Sequence, residues 1–354
     1  MTKATLICDL QFGSGGKGLI AGYLAERDKP DTIITAWSAN AGHSYIDASG
    51  RKFVHTMLGN GVVSPNLRRV LIGPGSQLNL ENLMAEAMDC VDLLHGAEVI
   101  IHPNACVIQD RHIEEESGPM TKIGSTKKGC GAALIEKIRR NPDSKITAGH
   151  FEHAISIMAR DAGVPVRVGT AEEYELAIEE ADKIQVEGAQ GYSLGINAGF
   201  YPYVTSRECT PAQIASDTLL PLAMIGKVVG VMRTYPIRVA NRYDDDGNIV
   251  GWSGPCYRDQ RELSFEQLGQ EVEFTTVTKL PRRIFSFSGE QCYRAMRTVR
   301  PDEILLNFAN YGDAITVEGK MEVINRAASE LNCGGVRYLG YGPTRGDVME
   351  VGHE

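Results

Sequence analysis

Residues 4–24 read ATLICDLQFGSGGKGLIAGYL. The apolar run from Ala4 to Cys8 has the length and bounds of a buried strand, and Leu19-Ile20-Ala21-Gly22-Tyr23-Leu24 begins a helical pattern. Between them, Gly13-x-Gly15-Gly16-Lys17-Gly18 presents backbone N–H groups and a helix N-terminus to an anion. The spacing is neither that of the P-loop nor the Gly-x-Gly-x-x-Gly of dinucleotide-binding turns. Alone, the loop reads either as a phosphate cradle or as a tight turn. Its setting, strand then glycine loop then helix, is the opening unit of an α/β protein.

The rest of the chain repeats that alternation. Thr32–Ala36, Val70–Ile72, Glu98–Ile101, Ile184–Val186, Lys227–Met232, Ile304–Phe308 and Val336–Leu339 are short, apolar and bounded by turn residues, as buried strands are. Helical patterns lie between them. Leu80, Leu83, Met84, Ala87, Val91 and Leu94 recur at three and four until Gly96, and Thr170 with Glu173 forms a capping box. The expected fold is α/β, a largely parallel central sheet flanked by helices. Residues 1–354 are expected to form one domain, with long functional loops around 40–60, 110–130 and 240–285 and a surface hairpin at 243–248.

Composition narrows the function. With 43% hydrophobic and 23% charged residues the chain reads as globular and soluble. A net charge of −9 provides no basic field for nucleic acid or an anionic membrane. No apolar stretch reaches the ~18 residues of a membrane span, and the N-terminus carries no signal-peptide pattern. The eight cysteines are scattered without metal-ligand spacing, as in a reduced, cytoplasmic protein.

Further motifs complement the opening loop. NAGHS (40–44) sets a histidine in a glycine-flanked turn, which by itself suits a structural role as well as a chemical one. VEGAQG (186–191) ends a strand with an acid and an amide, and YPYVTS (201–206) follows closely. IGSTKKGCG (123–131) leads into Lys137, Arg139 and Arg140, a grouping fit for a phosphate monoester or for a solvated basic face.

In order and in combination, these motifs resemble the adenylosuccinate synthetase family, over nearly the whole chain. The family's Gln-Trp-Gly-Asp-Glu-Gly-Lys-Gly corresponds to Gln11–Gly18, its Asn-Ala-Gly-His to Asn40–His43, and its Gly-Thr-Thr to Gly124-Ser125-Thr126. Glu187–Gly191 and Tyr201–Ser206 match the family residue for residue, and Gly342-Pro343-Thr344-Arg345 resembles its closing Gly-Pro-x-Arg. The resemblance implies the family's P-loop-NTPase-like fold. It also implies a reaction in which a triphosphate phosphorylates the 6-oxygen of a purine nucleotide and aspartate's amine displaces that phosphate, with Mg2+.

Carried over by position, Lys17 meets the γ-phosphate, His43 stabilises the moving phosphoryl group or acts as acid, and Gln190 orients the purine. Asn40, Thr126, Thr205 and Arg140 of the partner subunit hold the 5′-phosphate in an implied homodimer. Val239 lies by the sugar, and Ser14, Ser125 and Leu194 complete the nucleotide's surroundings. The triphosphate meets Gly13, Gly15, Gly16, Lys17, Gly18, Gly42, His43, Ser44, Asn307, Ala309, Gly342 and Pro343. Aspartate meets Thr276, Val277, Thr278 and Arg282, whose fork suits a carboxylate. Magnesium meets the Gly42 carbonyl and Ser14.

Three departures from the family pattern point to a different substrate. The catalytic acid is Ser14 and the next acid is Gly15, and losing a general base costs roughly 10²–10⁴ in rate. The guanine-reading acid falls at Ala309, with Asn310 beside it, so ATP or dATP is expected in place of GTP. The first arginine of the aspartate loop is Leu280, which offers a ribose 2′-hydroxyl nothing, a penalty of about 1–3 kcal/mol. A 2-amino, 2′-deoxy nucleotide, dGMP, fits all three, and the combination resembles the family's bacteriophage branch, which makes the precursor of 2-aminoadenine for phage DNA. Asp9, a water on Ser14 or the substrate aspartate are candidates for the N1 proton. Two other readings stand beside this one: an inosinate enzyme with a displaced base, and a silent nucleotide-binding module.

Overall fold

Strand β1 (Ala4–Asp9) is buried on both faces, and its alternation sends Leu6 and Cys8 into one cluster of the core and Ile7 into another. The computed structural model describes residues 3–40, 42–117, 122–123, 126–275 and 280–352. Nine further strands join β1 in one sheet: β2 (Thr32–Thr35), β3 (Arg69–Ile72), β4 (Glu98–Ile101), β5 (Val166–Val168), β6 (Ile184–Glu187), β7 (Ile225–Arg233), β8 (Glu303–Asn307), β9 (Val336–Gly340) and β10 (Val348–Glu350). Their order is β10-β9-β8-β7-β1-β6-β2-β3-β4-β5. Every pairing is parallel except β9 with the edge strand β10. The sheet is the largely parallel one expected from the alternation, and all seven later runs named above are strands within about two residues.

The strand order places the site. β1 lies between β6 and β7, and the chain crosses over it between them, so the loops leaving β1, β6 and β7 open side by side at the C-terminal edge. Such a reversal of strand order leaves a crevice there. Helix α1 (Lys17–Asp28) follows β1 directly and packs Ile20, Ala21 and Leu24 on Ile7, Val229 and Val231. On the other face, helices Ala171–Glu179, Pro211–Thr218, Gly289–Val299 and Ala314–Leu331 cover the sheet.

Local signals held in most places. Thr170 and Glu173 cap the helix that follows them, and antiparallel strands Arg242–Tyr243 and Ile249–Gly251 make the hairpin. One expectation is corrected: the helix starting at Leu80 ends at Asp89, and turns occupy 90–96. Leu94 is still 1% exposed, so the three-and-four apolar pattern survives in turns while Val91 faces outward. Sequence reading missed β5 and β10, which are only three residues long and each carry a charged residue.

Candidate functional site

The phosphate-binding candidate is built around an anion of its own. Asp9, fully buried at the end of β1, accepts the backbone N–H groups of Gln11 (2.8 Å) and Gly13 (3.0 Å) on Oδ1 and of Gly15 (2.9 Å) on Oδ2. The amides of Gln11, Gly13 and Gly15 therefore turn inward to the protein's own carboxylate. A Cβ at Gly15 would lie 2.4 Å from Asp9 Oδ2, which explains why no side chain stands there. Gly15, expected beside the triphosphate, does not border the cavity. Asp9, one candidate for the N1 proton, lies outside the cavity wall with both oxygens engaged by the loop.

A cavity of about 720 Å³ opens over the loop at the C-terminal edge of the sheet. Gly13, Ser14, Gly16, Lys17 and Gly18 form its floor, with Gly42, His43 and Ser44 beside them. The floor has three flanks. At Gly13 it packs on the backbone of Gln190, 3.4 Å from where a Cβ would stand. At Gly16 it packs on Asn307, so closely that any side chain would collide, and Gly16 takes the positive φ of 104° that glycine permits. At Ser14 it meets Arg282, whose Nη1 donates to Ser14 Oγ at 3.1 Å.

Around the first flank, Gln190 Nε2 donates to Asn40 Oδ1 at 3.2 Å. Thr126, Leu194, Thr205 and Val239 share this wall, with Thr205 tied by its N–H to the Leu194 carbonyl. Arg238 lies behind, donating to the Tyr203 and Pro255 carbonyls and stacking 4.6 Å over the Phe12 ring. Around the second flank, Asn307 spends its amide on the Gly15 carbonyl (3.0 Å) and on the Phe308 N–H (2.8 Å). It positions the loop on this flank and borders the cavity. Ala309 is 1% exposed and belongs to the core, a correction to its place as a lining residue. Phe308, Asn310, Tyr311, Gly342 and Pro343 form that wall instead. Around the third, Leu280 borders the cavity next to Arg282. Ser125, Thr276, Val277 and Thr278 lie outside the described residues. Arg140 caps helix α2 (Cys130–Arg139) at the exposed surface, away from this chain's own cavity.

Charged groups in the site are held by partners. His43 is 7% exposed, and its Nδ1 lies 2.6 Å from Glu187 Oε1. Glu187 is itself fixed, taking the Asn60 N–H on Oε2 (2.8 Å), while its carbonyl accepts Trp37 Nε1. Burial lowers the His43 pKa below its usual value, against the pull of Glu187. Lys17 Nζ donates to the Gln190 carbonyl at 2.6 Å and lies 3.7 Å from Asp9. Burial pushes the Glu273 carboxyl up, but Arg233 and Tyr311 outweigh it and hold the group below the usual carboxylate range. Glu116, the other carboxylate on the wall, accepts the N–H groups of Gly129, Gly131 and Ala132 at the start of α2.

Sequence reasoning missed Arg233, Glu116 and Phe308. Arg233 is fully buried, pairs with Glu273, donates to the Ser14 carbonyl at 3.3 Å and lies 3.6 Å over the Phe308 ring. A charge ending the apolar run of β7 was its one available signal. Among the described residues no three His, Cys, Asp or Glu side chains form a metal-binding group. No helix among them is long and apolar enough to cross a membrane.

Comparison with known proteins follows the same lines. The adenylosuccinate synthetase family profile matches residues 6–150 and 153–316. The N6-succino-2-amino-2′-deoxyadenylate synthase of Salmonella phage PMBT28 is 60% identical over 99% of this chain and 99% of its own. The adenylosuccinate synthetase of Archaeoglobus fulgidus is 32% identical, covering 81% of this chain and 77% of its own. A solved structure of the cyanophage S-2L succinoaminodeoxyadenylate synthetase, bound to dGMP and to dATP as an energy donor, superposes with a TM-score of 0.88 at 40% identity, covering 100% of this chain and 96% of its own.

Proposed function

We propose, from the premise that this chain belongs to the adenylosuccinate synthetase family, that it is a carbon–nitrogen ligase joining L-aspartate to the 6-position of dGMP. ATP or dATP supplies the phosphoryl group, and the products are N6-succino-2-amino-2′-deoxyadenylate, ADP or dADP, and phosphate. The observation that carries this reading is the three-flanked phosphate loop, which touches Gln190, Asn307 and Arg282 at Gly13, Gly16 and Ser14. One loop can thus present a triphosphate to a purine edge and to an amino acid together. The naming of the phage relatives, and dGMP with dATP in the cyanophage enzyme, support the choice of substrates.

In the first step the 6-oxygen of dGMP attacks the γ-phosphorus and the diphosphate leaves. In the second, the aspartate amine attacks C6 and phosphate departs with the former 6-oxygen. Glu187 holds His43 through Nδ1, which leaves Nε2 as the nitrogen that serves the transferring group. Lys17, at the cavity floor, offsets phosphate charge. Gln190 is the carboxamide suited to the purine edge, and Asn40, which accepts its Nε2, stands toward the 5′-phosphate. Leu280 gives the sugar an apolar wall that leaves a 2′-hydroxyl unpaired. Asn310 offers a donor and an acceptor to the triphosphate's base without the charge that favours guanine. Glu116 and Glu273 are both engaged, so the N1 proton passes to the substrate aspartate or to water.

Magnesium fits this donor set in part. The Gly42 carbonyl and phosphate oxygens would hold it, as magnesium commonly binds, and it would neutralise phosphate charge. Ser14 is a poor ligand beside a guanidinium. We place Arg140 in the neighbouring subunit's 5′-phosphate site, in a homodimer of the host cytosol.

Steady-state rates with dGMP, GMP, dIMP and IMP, each with L-aspartate and ATP, dATP or GTP, test the reading. The expected order puts dGMP first and GMP lower by roughly tenfold, the cost of one unpaired hydroxyl. Preferred turnover of IMP with GTP would overturn it in favour of the inosinate enzyme.

A further inference from the structure

The hairpin of strands His43–Ile46 and Lys52–His55 carries, besides His43 and Ser44, a lysine that faces the cavity. Alternation turns Tyr45, Phe53 and His55 inward and puts Ser44, Ile46 and Lys52 on the opposite face, and all three of these border the cavity. Ile46 and Lys52 are direct partners in the antiparallel register, with Cβ atoms about 5 Å apart. Five cations line the cavity, and four of them have partners: Lys17, Arg238 and Arg282 through the contacts given above, and Arg242 as well. Lys52, exposed at the rim, makes no side-chain hydrogen bond, ion pair or ring contact among the described residues.

The two ends of the strand opposite Lys52 fix where its amine stands. At one end, Ser44 lies on the first turn of α1, where a Cβ on Gly18 would come within 2.6 Å of the Ser44 carbonyl oxygen. At the other, Ile46 forms a parallel bridge with Thr344, next to Gly342 and Pro343 of the wall assigned to the triphosphate. Ser44 and Ile46 are two residues apart, about 7 Å along a strand. A triphosphate with its γ-phosphate at Lys17 and His43 and its base toward Pro343 must lay its α- and β-phosphates along this span. Lys52 is the cation beside it, and its flexible four-carbon stem lets the ammonium follow the chain of phosphates.

We propose that Lys52 binds the α- and β-phosphates of the energy donor, the part that leaves as ADP or dADP. This rests on the ligase reading and extends it with a contact to the leaving group. An ammonium is a compact point charge suited to phosphate. Because the rim is open to solvent, the contact is modest in strength and screened by salt.

The experiment is calorimetric titration of ADP, with Mg2+, into wild type, Lys52→Gln and Lys52→Arg, beside steady-state KM values for ATP and dGMP. Lys52→Gln is expected to weaken ADP binding about three- to tenfold and to raise the KM for ATP by a similar factor, with the KM for dGMP within about twofold. Lys52→Arg is expected to keep most of the ADP affinity, and the gap between wild type and Lys52→Gln to narrow from about 0.05 M to about 0.5 M salt. An ADP affinity unchanged in Lys52→Gln, or a loss confined to dGMP, would overturn the proposal. A loss for ATP with none for ADP would put Lys52 on the γ-phosphate and overturn it too. The ligase reading fails separately: a wild type that binds ADP with this dependence on Lys52, yet joins no aspartate to dGMP, would remove that reading and keep the donor contact. A wild type that binds no ADP would overturn the contact itself.

Discussion

At His43 the controlling contact is with a fully buried residue outside the cavity wall. Glu187 holds Nδ1 at 2.6 Å and is anchored in turn by the Asn60 N–H. Glu187→Gln keeps the shape and removes the charge that fixes the ring's tautomer. Its kcat is expected to fall roughly 10²–10⁴-fold with both KM values little changed, measured by steady-state kinetics; an unchanged kcat would deny Glu187 that role. His43, Lys17 and Gln190 were legible in the sequence because each sits in a short glycine-flanked motif. Arg233 and Glu116 were not, because their significance lies in contacts with Ser14 and with the start of α2 that only folding creates.

The phosphate loop as an element depends on Asp9. Asp9→Ala would strand three buried backbone donors and leave Lys17 without its carboxylate. A loss of roughly 2–5 kcal/mol is expected, read as a lower denaturation midpoint, with Asp9→Asn milder; a stability equal to wild type would show that the loop holds itself. Eight of the sheet's ten strands were legible because burial on both faces favours apolar runs, and the two three-residue strands β5 and β10 were not. The start at Leu80 was legible too, but its end was not, since turns at 90–96 bury Leu94 as a helix would. Loop direction is harder still: glycines announced a loop, and only the fold shows that alternate amides point to Asp9.

For the whole molecule, burial links stability to pH. His55 and His102 are each lowered to about 4 by burial, and His43 is lowered as well. In the unfolded chain these rings take up protons near pH 6.5, so the unfolded state binds more protons as pH falls through that value. Stability is therefore full above about pH 6.5 and declines from there toward pH 4. His55, the better enclosed of the two, accounts for roughly 2–4 kcal/mol of that decline. Thermal midpoints across this range should drop for wild type and drop less for His55→Asn; parallel curves would contradict the assignment. The shared-site proposal makes a second prediction at this scale. Arg140→Ala and Gln190→Ala proteins, each impaired alone, should regain activity when mixed and allowed to exchange subunits, and no recovery would place Arg140 outside the neighbour's site.

Conversion of deoxyguanylate in this cavity is what the other predictions depend on. The most direct measurement is a single turnover with dGMP labelled by heavy oxygen at the 6-position, L-aspartate and ATP, with mass detection of all products. The expected nucleotide equals dGMP plus aspartate less water, with the label in the released phosphate. Unmodified dGMP, or label retained in the nucleotide, would contradict it.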